Sequence, residues 1–277
     1  MSYVRQFVAA APDIDVLTFH LYPLIGTPNV PTAPTAEWFY NSSWLDLTAA
    51  AAAQVTAAAT GAGSAQLSAP LPVWAGEGSP DWKVEGAFGG NLTFEFGVAD
   101  MAASLARGGV AVFARQCLTS LVGCGFVTAG YWVSVLWKQL MGAAVFDATS
   151  SDPVVRAYAH GAAGAALGVG ARTVLLMNTA GSARNVSVAA AAAKGQERRG
   201  SCVTQLEYHV TAGPNLTDAH SGRVLAGVLV NGRQPAFVDG AGGSELPDFG
   251  AAVAPCGSRV LLASRSFAFV VLLEHDA

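Results

Sequence analysis

A chain of 277 residues has room for one or two domains, and a complete (β/α)₈ barrel of roughly 250 residues would leave no space for a second. Hydrophobic residues make up 52% and charged residues 12%, a balance that excludes intrinsic disorder. Fifteen basic against nineteen acidic residues leave a net charge of −4, which offers no field to hold nucleic acid.

In chain order, Asp15 to Tyr22 (DVLTFHLY) is the first strand candidate, with an aromatic and polar end. Trp44 to Thr60 is alanine-rich and helix-forming, and is stopped by Gly61 and Gly63. Leu71 to Ala75 (LPVWA) is a buried type of strand that breaks into Gly76-Glu77-Gly78. Asn91 to Leu105 places Phe94, Val98, Met101 and Leu105 at helical spacing. Gly109 to Ala114 is a third strand and Tyr131 to Met141 a third helix. The alternation predicts parallel βα units.

Beyond residue 150 the texture changes to short strand candidates separated by turn residues. They are Thr173 to Met177, Asn185 to Val188, Val203 to Val210, Val224 to Val230, Arg259 to Leu262 and Phe267 to Leu273. Asn231-Gly232 is a turn signal among them. The spacing predicts an antiparallel β-sandwich. The expected fold class is therefore α/β plus all-β, with a partial barrel over 1–146 and a β-sandwich over 147–277. Three parallel units cannot close into a barrel and would leave an edge and an apolar face bare. The chain thus reads as the C-terminal part of something larger, its N-terminal barrel half lying upstream or on another chain.

The uncharged stretch 116–137 is long enough for a bilayer but carries Gln116, Thr119, Ser120, Thr128 and Ser134. It reads as strand, loop and helix, with membrane association as a weaker alternative. The N-terminus shows no secretory leader, since Met1 to Arg5 precede only a short apolar run and Asp13. Cysteines stand at 117, 124, 202 and 256, with no Cys-x-x-Cys pair for zinc. Cys202 and Cys256 either pair or remain two buried thiols. Asn41, Asn91, Asn185 and Asn215 each open an N-x-[ST] sequon, a pattern that leans towards a secretory origin.

Functional groups in βα architectures gather at the C-terminal ends of strands. Glu77 follows LPVWA between two glycines that leave it open, His20 and Tyr22 end the first strand, and Arg115 and Gln116 end the third. A carboxylate, an imidazole, a phenol and a guanidinium on one rim suit a sugar. The bland alternatives are that Glu77 caps its loop, His20 is a hydrogen-bonded rim residue and Arg115 pairs structurally with a carboxylate.

The segments TFHLYPL, VWAGEGS, LTFEFGVADM, VAVFARQ and YWVSVLWKQLMG, in that order, resemble the heparanase-like β-glucuronidases of glycoside hydrolase family 79. LEYHVT, VLVNG, LPDFG and SRSFAFVVLL look like that family's C-terminal β-sandwich, so the resemblance spans the chain. It implies a retaining glycosidase in which Glu77 is the nucleophile. By the same resemblance His20 and Tyr22 line the sugar subsite, and Arg115 and Gln116 are the pair ending the eighth strand, with the guanidinium steadying the nucleophile's charge. The family's acid/base glutamate has no counterpart here, and its Asn-Glu motif belongs upstream of Met1. Asp81 and Glu85 are the acids nearest to Glu77 in sequence.

A retaining mechanism needs two carboxyl groups about 5–5.5 Å apart, so the chain alone is expected to be inactive or feeble. Pro80-Asp81-Trp82-Lys83 stands where the family carries a Tyr/Gly-rich segment that holds the uronate. Lysine occurs only at 83, 138 and 194, which favours a lightly sulfated uronic-acid glycan or proteoglycan as partner over a polysulfated one. No cofactor or metal is implied. The full-length protein is expected to be secreted, extracellular or lysosomal/vacuolar. The competing expectation is a non-catalytic homologue or carbohydrate-binding protein.

Overall fold

The computed structural model describes residues 2–11, 13–24, 35–61, 71–80, 91–115, 128–163, 167, 170–189, 202–217, 224–240, 243–245 and 247–274. It is a mixed helix and sheet structure of two compact units. The first comprises Met1–Gly89 with Phe96–Thr119, and the second Gly90–Glu95 with Ser120–Ala277.

The first unit contains helix α1 (Ser2–Ala10), strand β1 (Leu17–Leu21), a 3₁₀ turn (Ala36–Tyr40), helix α2 (Ser42–Gly61), strand β2 (Val73–Gly78), most of helix α3 (Leu92–Arg107) and strand β3 (Val112–Arg115). The three strands form one parallel sheet in the order β1-β2-β3. Parallel pairing follows from the helical crossovers between consecutive strands. Helix α2 starts where Asn41 Oδ1 accepts the Ser43 N–H at 2.9 Å, and Asn91 Oδ1 does the same for Phe94 at 3.0 Å in α3. Two of the sequon asparagines are therefore also helix caps. Helix α3 stops at Gly109 (φ 84°), where the Val110 N–H returns to Leu105 O and the Gly109 N–H to Ala106 O, both at 3.0 Å.

One face of this sheet is covered. Leu17, Val73 and Ala75 pack with Ala52, Val55 and Ala59 of α2, Met101 and Leu105 of α3, and Val8 of α1. The other face is bare among the described residues: Thr18, Trp74 and Val112 lie side by side in register, with Trp74 39% and Val112 41% exposed. Parallel sheets are ordinarily covered on both faces, so this is a departure from the rule.

The second unit contains helix α4 (Ala129–Leu140) and strands β4 (Met141–Phe146), β5 (Val155–Ala162), β6 (Arg172–Asn178), β7 (Arg184–Ser187), β8 (Cys202–Thr217), β9 (Val224–Val230), β10 (Val238–Gly240), β11 (Gly243–Glu245), β12 (Ala252–Pro255), β13 (Arg259–Leu262) and β14 (Phe267–Glu274). Seven form an antiparallel sheet in the order β12-β8-β14-β6-β5-β4, with β9 on β8. The continuous apolar run FAFVVLL suits β14, which pairs with strands on both sides and is buried from Phe267 to Leu272. β7 and β13 form a two-stranded sheet whose Val186, Val260 and Leu262 join Val174, Leu176, Val270 and Leu272 in one core.

Several expectations change in detail. β4 begins directly at the end of α4 and pairs with β5, so the antiparallel sheet starts at Met141, ahead of the 146/147 boundary read from texture. Strands β4, β5 and β12 and helix α1 had no clear sequence signal. The Asn231-Gly232 turn forms, with φ of 50° and 75°. Cys202 and Cys256 are joined in a disulfide with Cα atoms 5.7 Å apart, which resolves the two options left open for them. Asn185 on β7 and Asn215 on β8 are exposed, as is Asn41, while Asn91 is half-buried. Among the described residues no helix is long and apolar enough to cross a membrane.

Candidate active site

Glu77 is placed by a β-bulge. Phe19 pairs with Ala75 and His20 with Glu77, so Gly76 is the extra residue of β2. Threaded as a regular strand, with Gly76 opposite His20, strict alternation would put Glu77 on the same face as Val73 and Ala75, inside the helix-covered layer. The bulge takes Gly76 out of the alternation, so Glu77 joins His20 on the open face. Gly76 tolerates this position without crowding, the nearest atom to an added Cβ being Thr18 Cβ at 3.6 Å. The strand thus runs through Glu77 rather than breaking ahead of it.

Both carboxylate oxygens have a neighbour. The Tyr22 hydroxyl donates to Glu77 Oε1. His20 Nδ1 lies 3.8 Å from Oε2, with side-chain exposures of 62% for His20 and 36% for Glu77. A ligand approaching from solvent therefore reaches the carboxylate beside the imidazole. On the far side Gly78 is buried, and a Cβ there would fall 2.8 Å from Met101 Cε and 3.0 Å from Leu21 O. The tip of β2 accordingly has a fixed, tightly packed back and an accessible front.

Arg115 ends β3 in register with Gly78. Its place in the alternation is that of Phe113, on the helix-covered side, and among the described residues the side-chain nitrogen within 4 Å of the Glu77 carboxylate is that of the His20 imidazole. The hydroxyl that reaches the Glu77 carboxylate comes from Tyr22, just past the end of β1. Gln116, Asp81 and Glu85 lie outside the described residues, as do Cys117 and Cys124. Among the described residues no group of three His, Cys, Asp or Glu is arranged to hold a metal ion.

Solved structures share this architecture. A rhamnosyl-β-D-glucuronidase from Fusarium oxysporum superposes with a TM-score of 0.66 at 14% identity, covering 98% of this chain and 56% of that one. A bifunctional glucanase-xylanase from a metagenome library gives 0.56 at 14% identity over 98% and 46%. A Paenibacillus polymyxa xyloglucanase of glycoside hydrolase family 44 gives 0.56 at 11% identity over 98% and 50%. The fold resembles that of glycoside hydrolases. The chain spans about half the length of the structures it matches. No family model and no curated protein matches it.

The sequence reading did not single out Trp38 and Trp44. Their rings stack 5.4 Å apart at 20° beside the segment that follows Tyr22, and a W-x₅-W spacing at a helix start is the signal that carried them.

Proposed function

We propose that this chain carries the nucleophile side of a retaining glycosidase of the β-glucuronidase, heparanase-like type, acting on glycans that contain uronic acid. In this reading β1, β2 and β3 with α2, α3 and α4 are the last three βα units of a (β/α)₈ barrel, and the strands from β4 onward are a β-sandwich. The bare face with Trp74 and Val112 is then the barrel interior, awaiting strands that complete it.

The observation that carries the proposal is the setting of Glu77: a bulge turns it to the open face at the C-terminal end of a parallel strand, with Tyr22 on one oxygen and His20 beside the other. The oxygen beside His20, Oε2, attacks the anomeric carbon, the glycosidic C–O bond breaks, and a glycosyl ester forms on Glu77. Tyr22 holds the carboxylate in line and stabilises its charge before attack. His20, exposed at the rim, hydrogen-bonds a sugar hydroxyl. Protonation of the leaving oxygen falls to a second carboxyl, for which the upstream half is the proposed source.

An activated substrate removes the need for that proton. A 2-deoxy-2-fluoro-glucuronosyl fluoride has a leaving group that departs unprotonated, so the chain should form the ester without an acid/base partner. Mass spectrometry of proteolytic peptides should find the sugar on Glu77, and Glu77→Gln should abolish it. Labelling elsewhere, or none on a folded chain that binds glucuronic acid, would favour the non-catalytic carbohydrate-binding alternative. The Cys202–Cys256 disulfide and four sequons support secretion of the full-length protein, because such bridges persist in oxidising compartments.

A further inference from the structure

We propose that the second unit carries a binding groove of its own for an acidic sugar, in which Arg172 and Arg259 hold a uronate carboxylate. The ligand class rests on the glycosidase reading of Glu77, whereas the groove stands on the second unit alone.

The groove follows from the pairing of unequal sheets. β7 and β13 cover only part of the seven-stranded face, and a space of about 510 Å³ is left beside β7. Its floor is aliphatic: Val155, Ala157 and Ala159 alternate along β5, with Leu176 and Val174 of β6 opposite the two alanines. One wall is β7, whose edge away from β13 has no sheet neighbour among the described residues. The other wall is the loop from β4 to β5, with the hydroxyls of Thr149 and Ser151.

The two ends differ. At the Val155 end Arg184 of β7 and Asp152 of the loop meet at 3.4 Å and join the walls, while Asp152 O accepts the Val155 N–H at 3.0 Å. A strand added along β7 would run into this bridge, whereas a short oligosaccharide stops before it. The opposite end, roughly 20 Å away along β5, is cationic. There Arg172 stands in register with Gly161 and Leu272, its guanidinium 5.0 Å from the centre of the Phe146 ring. Arg259 follows Ser258, whose carbonyl accepts the Gln205 amide at 3.2 Å, and Gln205 is in register with Leu272. Both arginines thus stand at the same end.

Among the described residues neither guanidinium has a hydrogen bond or an ion pair. Two acids line the groove, and Asp152 is held by Arg184, so two cations stand against Asp147 alone. A guanidinium presents a planar fork that matches a carboxylate, and Phe146 pre-sets the fork of Arg172. A uronic-acid ring suits the remainder, its C–H face on the aliphatic floor and its hydroxyls against the loop hydroxyls and the open edge of β7.

Titration calorimetry of the 277-residue chain with hyaluronan tetrasaccharide, and with the same tetrasaccharide carboxyl-reduced to its neutral form, tests the assignment. The acidic probe should bind roughly tenfold more tightly than the neutral one, and Arg172→Gln, its fold checked by circular dichroism and melting, should erase most of that difference. A readout that needs no variant is the rate at which phenylglyoxal modifies each arginine, followed by peptide mass spectrometry. The tetrasaccharide should slow Arg172 and Arg259 and leave exposed Arg5 of the first unit unchanged. Equal rates with and without the acidic probe, or equal affinity for its neutral form, overturn the groove. Protection by the strand-forming hexapeptide EVTVEV and not by the tetrasaccharide overturns it too, and makes β7 a strand-addition edge. Fluorosugar labelling is scored separately: an ester on Glu77 with unprotected arginines removes the groove alone, and protected arginines with no ester remove the glycosidase reading alone.

Discussion

Removing the Cys202–Cys256 bridge should destabilise the second unit by an amount set by the unfolded chain. The bridge spans a sequence separation of 54, and the loop-entropy relation for that length gives about 4 kcal/mol at 25 °C. Folded-state contacts around it survive its loss. The Cys256 N–H donates to Val203 O at 3.1 Å, β12 pairs with β8 from Ala252 to Pro255, and the Gln205 amide donates to Ser258 O at 3.2 Å. The double variant Cys202→Ser/Cys256→Ser should therefore keep its circular dichroism spectrum and lose about 4 kcal/mol in urea titration, or roughly 8–16 °C in melting temperature. Dithiothreitol on the unaltered chain should reproduce the shift. A variant that melts within a degree or two of the parent would show that the loop is already closed in the unfolded ensemble, and the entropic reasoning would fail.

Tyr22→Phe removes the donor on Glu77 Oε1 and should slow fluorosugar labelling about ten- to a hundredfold, the worth of a hydrogen bond to a charged group. Deleting Gly76 removes the bulge but leaves Glu77 directly after Ala75 and still opposite His20 on the open face, so any fraction that folds should keep its labelling, as peptide mapping would reveal. Gly78→Ala places a methyl 2.8 Å from Met101 Cε and 3.0 Å from the Leu21 carbonyl, a backbone atom that does not yield, and should cost about 1–3 kcal/mol in denaturant titration. His160 is a pH reporter: burial lowers its pKa below 6.5, outweighing the opposing effect of its bond to Gly142 O at 2.7 Å. The folded state prefers the neutral ring, so this stability is present above pH 6.5 and is lost as pH falls through the lower folded value. His160→Asn should flatten the melting-temperature profile over that acidic window, and an unchanged profile would assign the acid sensitivity elsewhere.

Much of this arrangement was readable in the sequence. Alternating short apolar runs and alanine-rich stretches announced β1, β2, β3 and their helices, because period and propensity are local properties. The bulge was not legible: Gly76-Glu77-Gly78 reads as a strand breaking up, and only the partner strand's register shows it as a strand re-aimed. For the same reason Arg115 could be placed at a strand end but not on a face. β5 (VRAYAHGA) escaped notice because its small residues and Arg156 blur any alternation, and its strand state is imposed by β4 and β6 on either side. Helix α1 has nine residues and depends on Val8 packing into the core below, a tertiary cause. The disulfide stayed open because spacing alone does not choose partners, whereas the β8–β12 ladder does.

The uncovered face of the parallel sheet has a practical consequence for anyone handling the polypeptide. Thr18, Trp74 and Val112 form a strip of greasy surface flanked by strands whose outer backbone groups have no sheet neighbour among the described residues. Such a strip recruits chaperones, adsorbs to plastic and seeds edge-to-edge clumping during expression. Charging it, by Trp74→Glu or Val112→Lys, should make the polypeptide easier to purify.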